Sequence, residues 1–301
     1  MYLHRKMRTA IVALAAFGAS AAVADAATVG ASLLTQQHPF YVELANAMKQ
    51  EAQKDGLDLQ ISIANQDLNK QLADVEDFIT KGVDVIIISP VDSQGVKSAV
   101  LRAKKAGIKV ITVDVPANGA EVASHVGTDN FAGGQKAGEL MAKELDDKGD
   151  VAVIDYPTVQ SVVDRVNGFK DALKSHPNVK IVADQAGITR AEALSVAQNM
   201  LQANPNITGI FGFGDDAALA AVSAVKSANL SGKVKVIGFD GMKEARDAVD
   251  HDPEFVGVVR QYPDKMGEIA IDTAAKIIKG EDVPAKQPVV PGLYTKNGDQ
   301  K

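Results

Sequence analysis

The 301-residue chain contains no cysteine and no tryptophan. The absence of cysteine excludes disulfide bonds, thiolate metal sites, a cysteine nucleophile and a lipid anchor on an N-terminal cysteine. Basic residues are outnumbered, with 32 Lys and Arg against 38 Asp and Glu, which gives a net charge of −6. Proteins that wrap nucleic acid need clustered Lys and Arg to neutralise phosphates, so the charge balance argues against a nucleic-acid partner.

Long hydrophobic runs are also missing, because no segment approaches 18 uninterrupted apolar residues. The first 26 residues instead have the three parts of a secretory signal peptide: basic residues from Arg5 to Arg8, a short apolar run at 10–18, and the small-x-small site Ala24-Asp25-Ala26. A membrane anchor is the less favoured alternative, since the apolar run is too short to cross ~30 Å of hydrocarbon. We expect residues 1–26 to be a cleaved signal peptide and the mature protein to be periplasmic.

Signatures of common enzyme classes are absent from the sequence. We find no GxSxG elbow, no HExxH motif and no P-loop, and the glycines at 212 and 214 lack the third glycine of a dinucleotide fingerprint. The histidines at 125, 176 and 251 have no metal-like spacing. The sequence therefore predicts no enzyme activity, no cofactor and no metal site.

The remainder of the chain alternates short β-branched runs with amphipathic stretches. Strands are predicted at 28–33, 57–64, 83–88, 109–114, 151–155, 179–186, 209–213, 233–239 and 255–260, with a short one within 289–294. Helices are predicted at 39–55, 68–81, 96–106, 130–147, 161–175, 190–203, 216–228 and 263–279. This alternation, with continuously apolar strands such as 83–88, predicts doubly wound parallel sheets covered on both faces.

A weak internal repeat divides the chain into two halves. Residues 109–114 (KVITVD) and 235–240 (KVIGFD) each form the fourth strand of their half, and each ends in an aspartate. Ligands of open α/β sheets bind beyond the carboxyl ends of the strands. We therefore expect two similar α/β lobes that line a cleft from both sides with Asp114 and Asp240, and that close around a ligand by hinge motion.

An ordered set of short motifs gives the chain a family resemblance. The motifs are residues 36–41 (QQHPFY), 88–93 (ISPVDS), 110–114 (VITVD), 127–130 (GTDN), 164–169 (DRVNGF), 212–216 (GFGDD), 236–241 (VIGFDG) and 260–264 (RQYPD). Each motif is weak alone, but their order and spacing cover the whole mature chain. The chain resembles the ribose-binding-protein-like periplasmic binding proteins that feed sugar ABC transporters.

The resemblance implies an architecture and a function. Three chain crossings between the lobes are expected near 127–129, 261–263 and 290–292. The N-terminal lobe would comprise 27–128 plus 262–290, and the C-terminal lobe 129–261 plus 291–301. The protein would be a monomer that captures a monosaccharide or sugar alcohol in the cleft and delivers it to a membrane ABC permease.

Two kinds of side chain are expected to hold such a ligand. The carboxylates of Asp114 and Asp240 would accept hydrogen bonds from adjacent sugar hydroxyls, unless they serve only as helix caps or turn residues. Phe40 and Tyr41, at the start of a helix, would pack on the C–H faces of the sugar, unless they belong to the lobe core. The resemblance adds seven expected ligand-binding residues: His38, Ser89, Thr128, Arg165, Ile188, Gly214 and Gln261.

Alternatives remain at two of these positions, because Arg165 could be a surface partner on its helix and Gln261 could make only hinge contacts. Several positions also depart from the ribose pattern. Val115 replaces an arginine, an aromatic residue is replaced by Ile188, and asparagines are replaced by His38, Ser89 and Gly214. At several of these positions a longer polar side chain is lost, which argues against ribose itself as the ligand. The remaining candidates are another pentose or hexose, an amino sugar or an acyclic polyol.

Other function classes fit the sequence less well. A sugar-responsive repressor would carry a helix-turn-helix headpiece where this chain has the predicted signal peptide. A glycoside hydrolase could use paired aspartates, but here they are assigned to hydroxyl recognition. The same fold could instead serve signalling, either by docking on a chemoreceptor or by binding a sugar-like signal molecule such as a furanosyl autoinducer, and the sequence does not separate this from uptake.

Overall fold

The computed structural model describes residues 26–300, so the predicted signal peptide lies outside the described residues except for Ala26. The strands in this range are β1 (Thr28–Leu33), β2 (Asp58–Ile63), β3 (Val85–Ile88), β4 (Lys109–Val113), β5 (Ser124–Thr128), β6 (Gly149–Asp155), β7 (Val179–Ala186), β8 (Ile207–Gly212), β9 (Lys235–Asp240), β10 (Phe255–Arg260), β11 (Lys286–Val289), β12 (Gly292–Thr295) and β13 (Gly298–Gln300). The helices are α1 (Pro39–Asp55), α2 (Leu68–Lys81), α3 (Lys97–Lys105), α4 (Asn130–Glu144), α5 (Gln160–Leu173), α6 (Arg190–Ala203), α7 (Asp215–Ser227), α8 (Lys243–His251) and α9 (Pro263–Ile278).

These elements build two sheets with matching strand orders. The first sheet has the order β11-β5-β4-β3-β1-β2 and is parallel throughout. The second has the order β13-β12-β10-β9-β8-β6-β7, and its last two strands, β12 and β13, are antiparallel additions beside β10. The fourth strand of each half, β4 or β9, lies between the third and the fifth. The predicted fold class, two similar α/β lobes built on doubly wound parallel sheets, is confirmed.

The chain passes between the two sheets three times. It leaves the first sheet after β5, returns after β10 to form α9 and β11, and crosses again to β12. Helix α9 packs on α1 in the first lobe, whereas α4 packs on α5 in the second. We propose the lobe boundaries at these passages, with 27–128 plus 262–290 in one lobe and 129–261 plus 291–301 in the other.

Close packing of α4 on α5 holds one wall of the region between the lobes. Gly134 of α4 and Gly168 of α5 lie in this contact, and a Cβ at either position would overlap a backbone carbonyl oxygen of the facing helix. Glycine is the residue that permits such an approach of two backbones. The contact fixes the first turns of α5, from which Arg165 projects.

Elements that the sequence analysis did not predict are also present, among them β5, α8 and the short strand β13. Strand β5 contains Ser, His and Gly, which are weak strand formers, and it is specified by its pairing with β4 and β11. Helix α8 is short and very polar, and only Ala245 and Val249 are buried. The short tail strand predicted within 289–294 is present as β12, which pairs with β10 in the second sheet, whereas β11 ends at Val289 in the first sheet. Among the described residues, no helix has the length and hydrophobicity to cross a membrane.

Candidate functional site

A cavity of about 100 Å³ lies between the lobes at the carboxyl ends of the parallel strands. Nine residues singled out from the sequence line it: His38, Phe40, Tyr41, Asp114, Arg165, Ile188, Gly214, Asp240 and Gln261. This volume is below the roughly 300–1,000 Å³ of sites for drug-sized ligands, so the cavity suits a molecule no larger than a monosaccharide.

Asp114 follows β4 and turns its carboxylate into the cavity. The residue has a left-handed backbone (φ 63°) and is 4% exposed. Its Oδ2 atom accepts a hydrogen bond of 2.6 Å from the hydroxyl of Tyr41, whereas its Oδ1 atom is buried without a partner in the described part of the chain. Burial is the main reason that the pKa of Asp114 is raised from 3.8 to about 6. Oδ1 is thus a buried acceptor that lacks a donor in the described part of the chain.

Asp240 ends the equivalent strand, β9, in the second lobe. Its Oδ1 atom accepts hydrogen bonds from Gln261 Nε2 at 2.7 Å and from Arg165 Nη1 at 3.1 Å. Its Oδ2 atom has only long contacts, with the backbone N–H of Asp215 at 3.5 Å and with His38 Nε2 at 3.6 Å. Each strand-end aspartate thus has one oxygen in close hydrogen bonds within the protein and a second oxygen without a donor closer than 3.5 Å.

The guanidinium of Arg165 is held in place from several sides. Its Nε donates to Asn130 Oδ1 and its Nη1 to the carbonyl oxygen of Phe213, both at 2.8 Å. The guanidinium carbon lies 4.0 Å from the ring centroid of Phe239, which adds a cation–π contact. Arg165 is 4% exposed, so it is not a surface partner on its helix but the positive charge that balances Asp240.

The turn after Asp240 depends on a third carboxylate. Asp215 accepts hydrogen bonds from the backbone N–H groups of Gly241 at 3.0 Å and Met242 at 2.7 Å. Burial, followed by the nearby charge of Asp240, raises the pKa of Asp215 well above its usual value.

Ligand atoms of His38, Asp215 and Asp240 lie within 4.8 Å of one another, as in a metal site. Both oxygens of Asp215 accept from backbone N–H groups, and Asp240 Oδ1 accepts from Arg165 and Gln261. Only Asp240 Oδ2 and the His38 ring remain, beside the positive charge of Arg165, so the geometry does not favour a cation there.

Aromatic and aliphatic side chains form the remaining walls. The rings of Phe40 and Tyr41 meet edge to face, with centroids 5.0 Å apart. On the other lobe, Tyr156 and Phe213 make a similar contact at 5.7 Å. Sequence reasoning did not single out these two, although both follow the end of a strand, a position that could have found them. These walls thus present flat apolar surfaces beside the polar groups of Asp114 and Asp240.

Two expected site residues do not line the cavity. Ser89 follows β3 and is fully buried, and its hydroxyl has no partner among the described residues. Thr128 ends β5 and donates a hydrogen bond of 2.6 Å to Gln261 Oε1, which joins two of the chain crossings. Thr128 therefore connects to the cavity through Gln261, and Gln261 both holds Asp240 and lies where the chain passes between the two sheets.

Direct contacts also join the lobes beside the cavity, in a cluster that we call the rim contact: Ser93 and Asn118 of the first lobe, and Thr158 and Gln160 of the second. The backbone N–H of Gln160 donates to Ser93 Oγ at 3.0 Å, and that of Ser93 donates to the Thr158 carbonyl at 3.2 Å. Asn118 Nδ2 donates to Gln160 Oε1 at 2.8 Å. These bonds hold the lobes in a closed arrangement.

Comparison with known sequences defines the class of protein. Residues 29–282 match the family described as the periplasmic binding protein domain. Because this match covers most of the chain, the protein belongs to the periplasmic binding protein family, and the resemblance recognised from the motifs is confirmed.

Individual relatives are similar over nearly the whole chain. The ribose import binding protein RbsB of Escherichia coli K12 is 34% identical over 287 residues, which cover 95% of this chain and 96% of RbsB. An ABC transporter solute-binding protein from Mycobacterium smegmatis, solved with bound glycerol, has a TM-score of 0.86 and 39% identity over 90% of this chain and 95% of its own. One from Actinobacillus succinogenes 130z, with bound D-allose, has a TM-score of 0.84 and 33% identity over 90% and 98%.

Proposed function

We propose that this protein captures a monosaccharide or sugar alcohol in the cavity between its lobes and delivers it to the membrane permease of an ABC transporter. One observation carries the proposal: a buried aspartate from each lobe lines the same cavity, and each has one carboxylate oxygen without a close donor. Hydroxyl groups are the donors that such oxygens accept, and hydrogen bonds to a charged group are the stronger kind.

The remaining lining supports a polyhydroxylated ligand over an apolar one. Aromatic rings on both lobes can cover the C–H faces of a small carbohydrate while its edges meet Asp114 and Asp240. Three to five charged hydrogen bonds at about 1.5–3 kcal/mol each would offset an association cost of several kcal/mol. A net free energy near −8 kcal/mol, which corresponds to a roughly micromolar Kd, is the expected result.

The relatives support the ligand class. They include a ribose import binding protein and solute-binding proteins solved with bound glycerol and bound D-allose, and all three ligands are small polyhydroxylated molecules. Ribose itself is disfavoured for this chain, because Val115 is an apolar lining residue beside Asp114 and Gly214 adds no side-chain donor. Another pentose or hexose, an amino sugar or an acyclic polyol is expected.

Transport context and location follow from the same proposal. The predicted signal peptide at 1–26 would export the chain, and periplasmic binding proteins work outside the cytoplasmic membrane. We propose a periplasmic, monomeric protein that closes on its ligand and is then recognised by the permease.

A thermal-shift screen of the chain from residue 27 tests the function. A ligand that binds only the folded state at 100 times its Kd adds about 2.7 kcal/mol to the free energy of unfolding, so one or more pentoses, hexoses, amino sugars or polyols should raise the Tm by several degrees. The Asp240→Ala variant serves as the control and, with at least tenfold weaker binding, should keep at most about half of that shift. If no compound in the panel moves the Tm at millimolar concentration, the proposal is wrong.

A further inference from the structure

The hydroxyl of Tyr41 occupies a place that a ligand hydroxyl would otherwise take. It donates to Asp114 Oδ2 at 2.6 Å across 73 residues of sequence. The ring is 8% exposed and is fixed against Phe40, so the hydroxyl has little freedom to swing away. Burial, reinforced by the charge of Asp114, raises the pKa of Tyr41 well above its usual value, and the phenol therefore stays protonated and remains a donor.

This contact changes what Asp114 can recognise. A carboxylate that holds a vicinal diol gives one oxygen to each of the two neighbouring hydroxyls. At Asp114 the Oδ2 atom already has its donor, and only Oδ1 is unpartnered. At Asp240, in the same way, Oδ1 is taken by Gln261 and Arg165.

We propose that Tyr41 is a specificity-determining residue that selects ligands offering Asp114 one hydroxyl instead of a vicinal pair. The inference rests on the proposed sugar-binding function and narrows its ligand class. A deoxy sugar meets this condition, and so does a short polyol whose chain ends beside the hydroxyl that binds Asp114.

The reason for the selection is the cost of a buried hydroxyl without an acceptor. A second hydroxyl brought to Asp114 would compete with the Tyr41 hydroxyl, which already holds Oδ2 at 2.6 Å. It would lose its hydration and gain only a weaker hydrogen bond, to the shared Oδ2 atom or to the Tyr41 oxygen. Sites with buried polar groups discriminate strongly on a single hydroxyl, so we expect at least about tenfold weaker binding of the fully hydroxylated analogue. Removal of the Tyr41 hydroxyl reopens Oδ2 and should reverse the preference.

Isothermal titration of matched sugar pairs tests the proposal. The pairs are D-ribose with 2-deoxy-D-ribose, D-glucose with 2-deoxy-D-glucose and D-galactose with 6-deoxy-D-galactose, with glycerol, erythritol and ribitol as a chain-length series. Each is measured on the wild type and on Tyr41→Phe. The matched control is Tyr294→Phe, which removes a tyrosine–aspartate hydrogen bond to Asp250 at 3.0 Å on the exposed surface, outside the cavity lining.

The proposal predicts that the wild type and Tyr294→Phe bind a deoxy sugar or a shorter polyol at least tenfold more tightly than its fully hydroxylated or longer counterpart. Tyr41→Phe should equalise or invert that ranking. The inference is overturned if the hydroxylated member binds as tightly in the wild type, or if Tyr41→Phe leaves the ranking unchanged. If Tyr41→Phe does not fold, which its Tm would reveal, the wild-type ranking decides alone. If no sugar or polyol binds the wild type, the proposed function itself fails.

Discussion

Asp114 is a carboxylate that the folded protein keeps almost entirely out of water, with no cation in hydrogen-bonding contact among the described residues. Its pKa is about 6 in the folded state against 3.8 ordinarily. Because the folded value is the higher one, stability from the bound proton is full below pH 3.8 and is lost as the pH rises through about 6. At about 1.36 kcal/mol per pKa unit, ionised Asp114 costs the ligand-free protein on the order of 3 kcal/mol.

Replacement of Asp114 by asparagine should therefore separate stability from binding. At pH 7.5 we expect Asp114→Asn to raise the free energy of unfolding by up to about 3 kcal/mol, a gain that shrinks to about 1 kcal/mol at pH 4.5. The same variant should lose ligand affinity at least tenfold. Urea denaturation at the two pH values, together with calorimetric titration, measures both effects.

Asp240→Asn is the contrasting variant, because Asp240 is paired with Arg165. Loss of its charge would leave a buried guanidinium without its partner, so this variant should be less stable than the wild type. A destabilised Asp114→Asn, or a gain that does not depend on pH, would contradict the account of Asp114.

Individual site residues differ in how far the sequence can predict them. Asp114 and Asp240 could be predicted as cleft residues because the repeat puts both at equivalent strand ends. The partner of the Tyr41 hydroxyl could not, since it depends on a side-chain rotamer and on a neighbour 73 residues away. The same limit applies to Ser89 and Thr128, whose contact with a ligand stays a prediction although neither lines the cavity.

At the scale of single elements, the rim contact joins the loops after β3 and β4 to the first turn of α5. Its side chains lie outside the cavity lining, so it can favour closure without touching the ligand. A bond made only in the closed state raises the closed population and lowers the apparent Kd. We therefore expect the rim contact to contribute to ligand affinity from outside the cavity.

Gln160→Ala removes the hydrogen bond that Asn118 donates across the lobes at 2.8 Å. One net hydrogen bond is worth about 0.5–1.5 kcal/mol, so we expect ligand affinity to fall roughly two- to tenfold, chiefly through faster dissociation. The matched control is Gln135→Ala, since Gln135 bonds Asp171 within one lobe. Stopped-flow and calorimetric measurements that show equal losses in both variants, or no loss in Gln160→Ala, would contradict this role.

Secondary structure could be predicted where the local sequence pattern and the tertiary packing favour the same element. Strand β1 and helices α1, α2 and α6 have the predicted bounds, because their apolar spacing and end signals point the same way. Helix α2, for example, starts at the cap of Asp67 and ends at the left-handed Gly82. Strand β5 and helix α8 were missed because pairing and docking, rather than local sequence, define them.

At the scale of the whole molecule, the repeat predicted two matching lobes but not how the last residues are shared between them. Strand β11 completes the first sheet beside β5, and β12 extends the second beside β10. An edge position tolerates Pro288 in β11, which also weakened the strand signal in the sequence. Three crossings tie the lobes into one hinged body whose ligand site exists in full only when they meet.

The central claim is that an aspartate from each lobe holds one ligand in the closed cleft. Its most direct test is isothermal titration of Asp114→Ala, Asp240→Ala and the double variant with the best ligand from the thermal-shift screen. We predict at least a tenfold loss of affinity in each single variant, a larger loss in the double variant, and cooperative unfolding in all three. Unchanged affinity in both single variants would contradict the account.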